Sequence, residues 1–580
     1  MSEMFTVYIT APALLDSLFD DDARAEAAAL LKKARVGSVV IEGFREGRIV
    51  PEDALRAAQR FFQEHGFEVL GGIMPWNGHG FGKGAEGLEA RLNTFCFSDE
   101  GTVDSLRQEI CKLARLFGTV VIDDGFMTSC RCPHCDELRI GREWGAMRRD
   151  LLCRVAEQWV KAAHQASLNA RIIVKFPQYY DRYARFGYDA QRFPAIFDGV
   201  WQGTETRDPA TLDYGYVEPY QGYLNYEWMR IHAGEKLEAA WFDHLDCDAQ
   251  TFQDQAVTSH LCGPRRVVLF SYDKELFSGS WITRLTRSAP ALETLRNSWS
   301  PPQGVHVIKP LHADGAGDLF LFDYLGMMGI PCVPAHEMST THRCTLVTSH
   351  GIADARVREA IPRALVAGRH VIATFSALER MAAYPDLLEF FGYRSSGLQR
   401  ARGAVSHFVI NGTRYATDEP FHVAGDLAPS GAAVLSWAEF GEANGQTLRT
   451  PFVTAKAYSS GGRAIVWNLG TFGHEAFDIR EQLNVPVPSE LLGIPKDVLD
   501  YLRHTATGPL GFDIKAPSRV ASFVFDQSLV FVNYGEQPAE VNVHGLNWES
   551  STLSSNSKNT TTSGHDVYLA PCSYALLRRA

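Results

Sequence analysis

Three thiols stand within six residues at Cys130-Arg131-Cys132-Pro133-His134-Cys135. Held in a turn, that spacing lets them close on one tetrahedral ion, and thiolate ligands favour zinc. Three sulfurs leave one coordination position open, for which Cys96, Cys111, Cys153 and His134 are the candidates. Cys96 is preferred, because LNTFCFSDE falls in the loop after the third predicted strand, beside the fourth in a barrel. Four thiolates closing on one ion make a structural site, not a catalytic one.

The second group of chemically capable residues is a set of carboxylates at the ends of apolar runs. Asp123-Asp124 ends TVVIDD, Glu205 follows GVWQG with Arg207 and Asp208 behind it, and Asp243 ends EAAWFD. Glycoside cleavage needs two carboxyl groups flanking one bond, about 5–5.5 Å apart for retention and about 6.5–9.5 Å for inversion. Consecutive strand residues point to opposite faces, so one of Asp123 and Asp124 is expected to face the site. Asp124 is the choice, with Asp123 as a supporting acid and Arg207 paired to Asp208 or Asp123. Glu42, Trp76, Lys175 and Asp273 also close apolar runs. The aromatics Trp76, Trp201, Tyr179, Tyr180, Trp241 and the run YGYVEPYQGYLNYEW from Tyr214 offer faces for a pyranose, and Glu42 and His79 offer groups for its hydroxyls. Lys175 is a Schiff-base candidate in principle. Among so many acids, an ion-paired lysine is the expected state.

These side chains need a scaffold that collects strand ends. Eight strand candidates start at Phe5, Ser38, Glu68, Thr119, Arg171, Gly199, Glu238 and Arg266, with helical segments such as PEDALRAAQRFFQEHG between them. Nearly continuous apolar strands separated by helices predict a parallel sheet buried on both faces. Eight such units over residues 1–300 predict a (β/α)8 barrel, whose strand C-termini carry chemistry. After the break Trp299-Ser300-Pro301-Pro302, VHVIKPL, TLVTSH and HVIATFSA alternate with the helix IADARVREAIPRALVAG. That predicts a smaller α/β domain with a parallel sheet over 301–510. From Gly511, the segments RVASFVF, SLVFVNYG, AEVNVHG and YALLRR predict a small antiparallel β domain over 511–580.

Composition limits the partners. The chain has 580 residues, 56 basic and 68 acidic side chains and a net charge of −12, with no basic run, which argues against nucleic acid. No stretch of eighteen apolar residues predicts a membrane span, and the first residues lack the basic start of a secretory signal. A cytoplasmic protein with reduced thiols is expected.

The chain resembles the family 42 glycoside hydrolases, of β-galactosidase type. Cys96 with Cys130, Cys132 and Cys135 matches the family's structural zinc set, and the domain order matches independently. The resemblance implies a barrel, a domain like a class I glutamine amidotransferase that makes subunit contacts in trimers, and a β domain. It places the acid/base at the end of strand four and the nucleophile on strand seven. Both are glutamates in the family, whereas this chain has Asp123-Asp124 and Asp243. The amidotransferase-like elbow Ile372-Ala373-Thr374-Phe375-Ser376-Ala377 carries no cysteine, so that domain is expected to lack the chemistry, with Cys332 and Cys344 as core thiols. The expectation is a homo-oligomeric hydrolase of small saccharides or glycosides, with Asp124 as acid/base and Glu205 or Asp243 as nucleophile or base. Its competitors are an inactive sugar-binding protein on the same scaffold and a lyase or isomerase using Lys175.

Overall fold

The computed structural model describes residues 4–87, 93–208, 218–312, 317–401, 403–443, 446–470, 490–549 and 553–580. They fall into two compact units, Met1–Thr211 with Asn225–Asn297, and Leu212–Leu224 with Ser298–Ala580.

The first unit is a closed barrel of eight parallel strands: β1 (Phe5–Ile9), β2 (Val36–Arg45), β3 (Glu68–Met74), β4 (Thr119–Ile122), β5 (Arg171–Phe176), β6 (Gly199–Gly203), β7 (Leu237–Asp243) and β8 (Arg266–Phe270). Each pairs with its sequence neighbour, and β1 closes the ring by pairing with both β2 and β8. The strands are almost wholly buried, as the unbroken apolar runs require. Every strand sends at least one side chain to the centre: Tyr8, Val40, Leu70, Val121, Ile173, Trp201, Ala239, Trp241 and Val268. Burying each large apolar side chain contributes about 1.5–3 kcal/mol. Trp201 is thus part of the barrel interior and is fully buried there. The expectation that it lines a rim fails, because its place on β6 precedes the strand end by two residues.

The outer helices begin where the sequence supplies caps. Asp99 accepts from the Thr102 N–H to open the helix Glu100–Phe117, which buries Leu106, Ile110, Leu113 and Ala114. Gly118 ends it with φ +74°, the left-handed conformation that glycine tolerates.

In the second unit, five parallel strands lie in the order Cys332–Ala335, Val305–Ile308, Cys344–Val347, His370–Thr374, Arg463–Trp467. Four antiparallel strands between Val405 and Ala457 extend this sheet, so it is mixed and not purely parallel as expected. The cue was Asn411-Gly412, whose φ values of 51° and 82° suit the tight hairpin between Val405–Ile410 and Thr413–Phe421. The strand His370–Thr374 runs into the helix Phe375–Met381 with Thr374 as its cap, and Cys332 and Cys344 are buried core thiols. A five-stranded and a four-stranded antiparallel sheet then enclose a core containing Val524, Phe531, Val541, Val567 and Leu577. Among the described residues no helix is long and apolar enough to cross a membrane.

Candidate active site

β4 ends at Ile122, and Asp123 and Asp124 follow it. Strand alternation does not extend past the strand, so both acids turn toward one cation. Lys175 Nζ, from β5, donates to Asp124 Oδ2 at 2.7 Å and lies 3.7 Å from Asp123 Oδ1. The same ammonium donates to Glu205 Oε1 at 2.7 Å and sits 4.5 Å above the Trp241 ring. Burial alone would lower the lysine's pKa. The surrounding Asp124, Glu205 and Asp123 reverse this and hold it well above its ordinary value. A lysine so charged is no Schiff-base nucleophile.

Glu205 stands two residues past β6. Burial pushes its pKa up to about 7 against the pull of Lys175, with Asp243 and Asp124 adding to the rise. Its Oε2 is buried and has no hydrogen-bond partner among the described residues. It packs against Gly203, where an added Cβ would sit 2.3 Å from that oxygen. Glycine at 203 is what leaves room for the carboxyl group.

Asp243, the last residue of β7, is held differently. Arg207 grips both its oxygens, at 3.0 Å to Oδ1 and 3.1 Å to Oδ2, and Oδ1 also accepts from the Leu245 N–H. Arg207 thus meets Asp243, an acid other than the Asp208 or Asp123 that the sequence suggests, because the segment after β6 lies against the end of β7. Gln255 clamps the two, accepting from the Thr206 and Asp243 N–H groups and donating to the Asp243 carbonyl. Nothing in the sequence near Gln255 marks it for this task.

Glu42 on β2 is fully buried and joins the cluster through Arg45, which donates to Glu42 and to Asp123. Tyr8 donates to Glu42 at 2.9 Å. Side-chain exposure separates the acids: Asp124 is 24% exposed, whereas Glu42, Asp123, Glu205 and Asp243 are at 5% or less. Asp124 is the one an incoming molecule meets first.

Several expected contributors stand elsewhere. Asp273 is exposed and caps the helix Lys274–Ser278. His79 is exposed beyond β3, and Trp76 is half-buried there. Tyr179 is buried among Tyr183, Phe186 and Tyr188, with its hydroxyl on the Met127 sulfur, and Tyr180 is buried near Trp228. Tyr214 and Tyr216 lie outside the described residues.

The four cysteines do come together. Their sulfurs all lie within 4.8 Å of one another and all four residues are buried. Cys96 Sγ is 3.8 Å from Cys132 Sγ and 3.7 Å from Cys135 Sγ. A tetrahedral ion with bonds of about 2.3 Å requires sulfur separations of about 3.8 Å, so the donor set fits a metal of that size. The Glu86 N–H points at Cys130 Sγ, and the Ser98 hydroxyl lies near the sulfurs of Cys96 and Cys135, as groups supporting thiolates would.

Residues 2–289 match the family model of a probable glycosyl hydrolase catalytic domain, and residues 302–434 match the second domain of uncharacterized protein SSO3021. The family 42 β-galactosidase of G. stearothermophilus superimposes with a TM-score of 0.63 at 12% identity, covering 100% of this chain and 98% of that one. In architecture, the chain resembles the family 42 glycoside hydrolases. The β-galactosidase of Bacillus circulans sp. alkalophilus gives a TM-score of 0.66 at 11% identity, with 100% and 99% covered. On this family 42-like scaffold, Asp123-Asp124 and Asp243 stand at the ends of strands four and seven. SSO3021 itself, from Saccharolobus solfataricus, is 23% identical over 261 residues, which is 41% of this chain and 42% of that protein. The alignment therefore spans less than half of this curated relative.

Proposed function

We propose that the barrel is a glycoside hydrolase acting on small saccharides or glycosides, with Asp124 and Glu205 as its working carboxyl pair. The observation that carries this reading is their shared contact with Lys175 at the C-terminal face of the barrel. Both oxygens touch one nitrogen at 2.7 Å, so they stand no more than about 5.4 Å apart. That separation suits a retaining displacement. Glu205, with its pKa near 7, supplies the proton to the departing oxygen. Asp124, paired to Lys175 and open to solvent, attacks the anomeric carbon. This exchanges the acid/base role that the sequence suggests for Asp124. Asp243 is the poorer partner, because Arg207 occupies both its oxygens. Glu42, Arg207 and Trp241 then support the site, while Trp201 belongs to the core.

The test separates the two carboxyl roles by leaving group. D124N is expected to lose activity on every glycoside, on the order of 10³-fold or more, while E205Q keeps cleavage of a dinitrophenyl glycoside, whose leaving group needs no proton, and loses cleavage of an alkyl glycoside. Wild-type turnover should fall as pH rises through about 7, where Glu205 loses its proton. Full activity of D124N overturns the assignment.

The rest of the reading follows the scaffold. The four cysteines would hold a structural zinc, for which elemental analysis should give one zinc per chain. The chain would work as a cytoplasmic homo-oligomer, a trimer if it follows the resembling family. Its domains would be 1–300 for catalysis, 301–510 for subunit contacts and 511–580 as a β cap.

A further inference from the structure

We infer that Arg45 is a positioning residue that holds Asp124 in place through Asp123. The inference rests on the reading that Asp124 meets the substrate. Arg45 is the last residue of β2, and its guanidinium bridges two buried acids. Nε donates to Glu42 at 3.1 and 2.9 Å, and a terminal nitrogen donates to Asp123 Oδ2 at 3.0 Å. Glu42 is in turn fixed by the Tyr8 hydroxyl and by the Ala11 N–H at 2.7 Å. Glu42 is therefore an anchor with little freedom, and Arg45 transmits its position across the barrel mouth. At the far end, Asp123 Oδ1 accepts from the backbone N–H of Asp124 at 2.8 Å. The path from β1 and β2 thus reaches the backbone of the working carboxylate without any contact to its side chain.

The charges alternate along the path: Glu42, Arg45, Asp123, Lys175, then Asp124 with Glu205. The groups facing Asp123 are Arg45 from β2, Tyr8 from β1, Lys175 from β5 and its own neighbour Asp124. Burial and the Asp124 charge already push the Asp123 carboxyl toward holding its proton, and Arg45 and Lys175 oppose this. Removing Arg45 leaves Asp123 with one cation that is shared among three acids. The carboxylate then swings toward that cation, and the swing releases the Asp124 backbone from its partner.

The experiment compares R45M, D123N and the double variant R45M/D123N. R45M is expected to lower kcat on the order of 10²-fold with KM little changed, the scale of a misplaced catalytic group. Asparagine at 123 carries no charge, yet its carbonyl still accepts from the Asp124 N–H. The double variant should therefore regain at least tenfold of what R45M loses. R45K is the folded control should R45M be poorly stable: its single ammonium reaches one acid, so it should show the same kcat loss in smaller measure. A second readout needs no turnover. A carboxyl whose folded pKa is raised is stabilising while protonated and loses that contribution as pH rises through the folded value. The deficit in melting temperature of R45M against wild type should therefore widen from pH 5 to pH 8, and D123N should shrink it. Absence of glycosidase activity in the wild-type chain would overturn the glycosidase reading and leave this stability readout standing. R45M or R45K with wild-type kcat, or a double variant no better than R45M in both readouts, overturns the relay.

Discussion

The barrel mouth holds its carboxylates by two different cation geometries. On one side, the planar fork of Arg207 takes both oxygens of Asp243, and a backbone N–H takes one of them as well. On the other side, the ammonium of Lys175 is a point charge shared among Asp124, Glu205 and Asp123. The fork satisfies its acid completely and fixes it. The point charge leaves Glu205 under-satisfied, its Oε2 without a hydrogen-bond partner among the described residues and its proton held to about pH 7. A guanidinium suits structure and a shared ammonium suits proton chemistry. On the proposed reading, Lys175, not Arg207, marks the working half of the site.

Two substitutions test that contrast, and the larger effect belongs to Lys175. K175M strips three acids of their common cation and should cost at least about 3–5 kcal/mol at pH 7 by urea denaturation. Part of this should return at pH 5, because Glu205 then carries its proton and needs no cation. R207M takes the cation from Asp243 but leaves Lys175 on Glu205, so a loss of about 3 kcal/mol is expected, with a shallower dependence on pH. Its turnover should survive better than that of K175M. Equal pH slopes for the two variants would erase the distinction between fixed and shared acids.

Much of this architecture is legible in the sequence because barrel strands are buried on both faces. Runs such as TVVI and RIIVKF announce themselves through continuous apolarity, and all eight starts coincide with observed strands to within a few residues. The cysteine set is legible because ligand spacing in a turn is local chemistry. The carboxyl cluster is only half legible. Residue type at strand ends flagged Glu42, Asp123, Asp124, Lys175, Glu205 and Asp243, but which cation meets which acid depends on loop paths that no local pattern encodes. Strand alternation does not separate Asp123 from Asp124, since both lie past the end of β4 and both meet Lys175. Arg45 and Tyr8 escaped notice because an arginine at a strand end and a tyrosine inside β1 resemble ordinary surface and core residues. Trp201 was the opposite case, an aromatic near a strand end that faces the interior. In the second unit, the antiparallel strands from Val405 to Ala457 carry the Asn-Gly signal, but the βα alternation before them is the stronger local pattern.

On the proposed reading, Asp124, facing solvent from a shared lysine, is the group that bonds to the sugar. Incubation with a panel of 2-deoxy-2-fluoro dinitrophenyl glycosides, followed by peptide mapping, reads this directly. The account predicts a fluoroglycosyl adduct on Asp124. An adduct on Asp243 would contradict it.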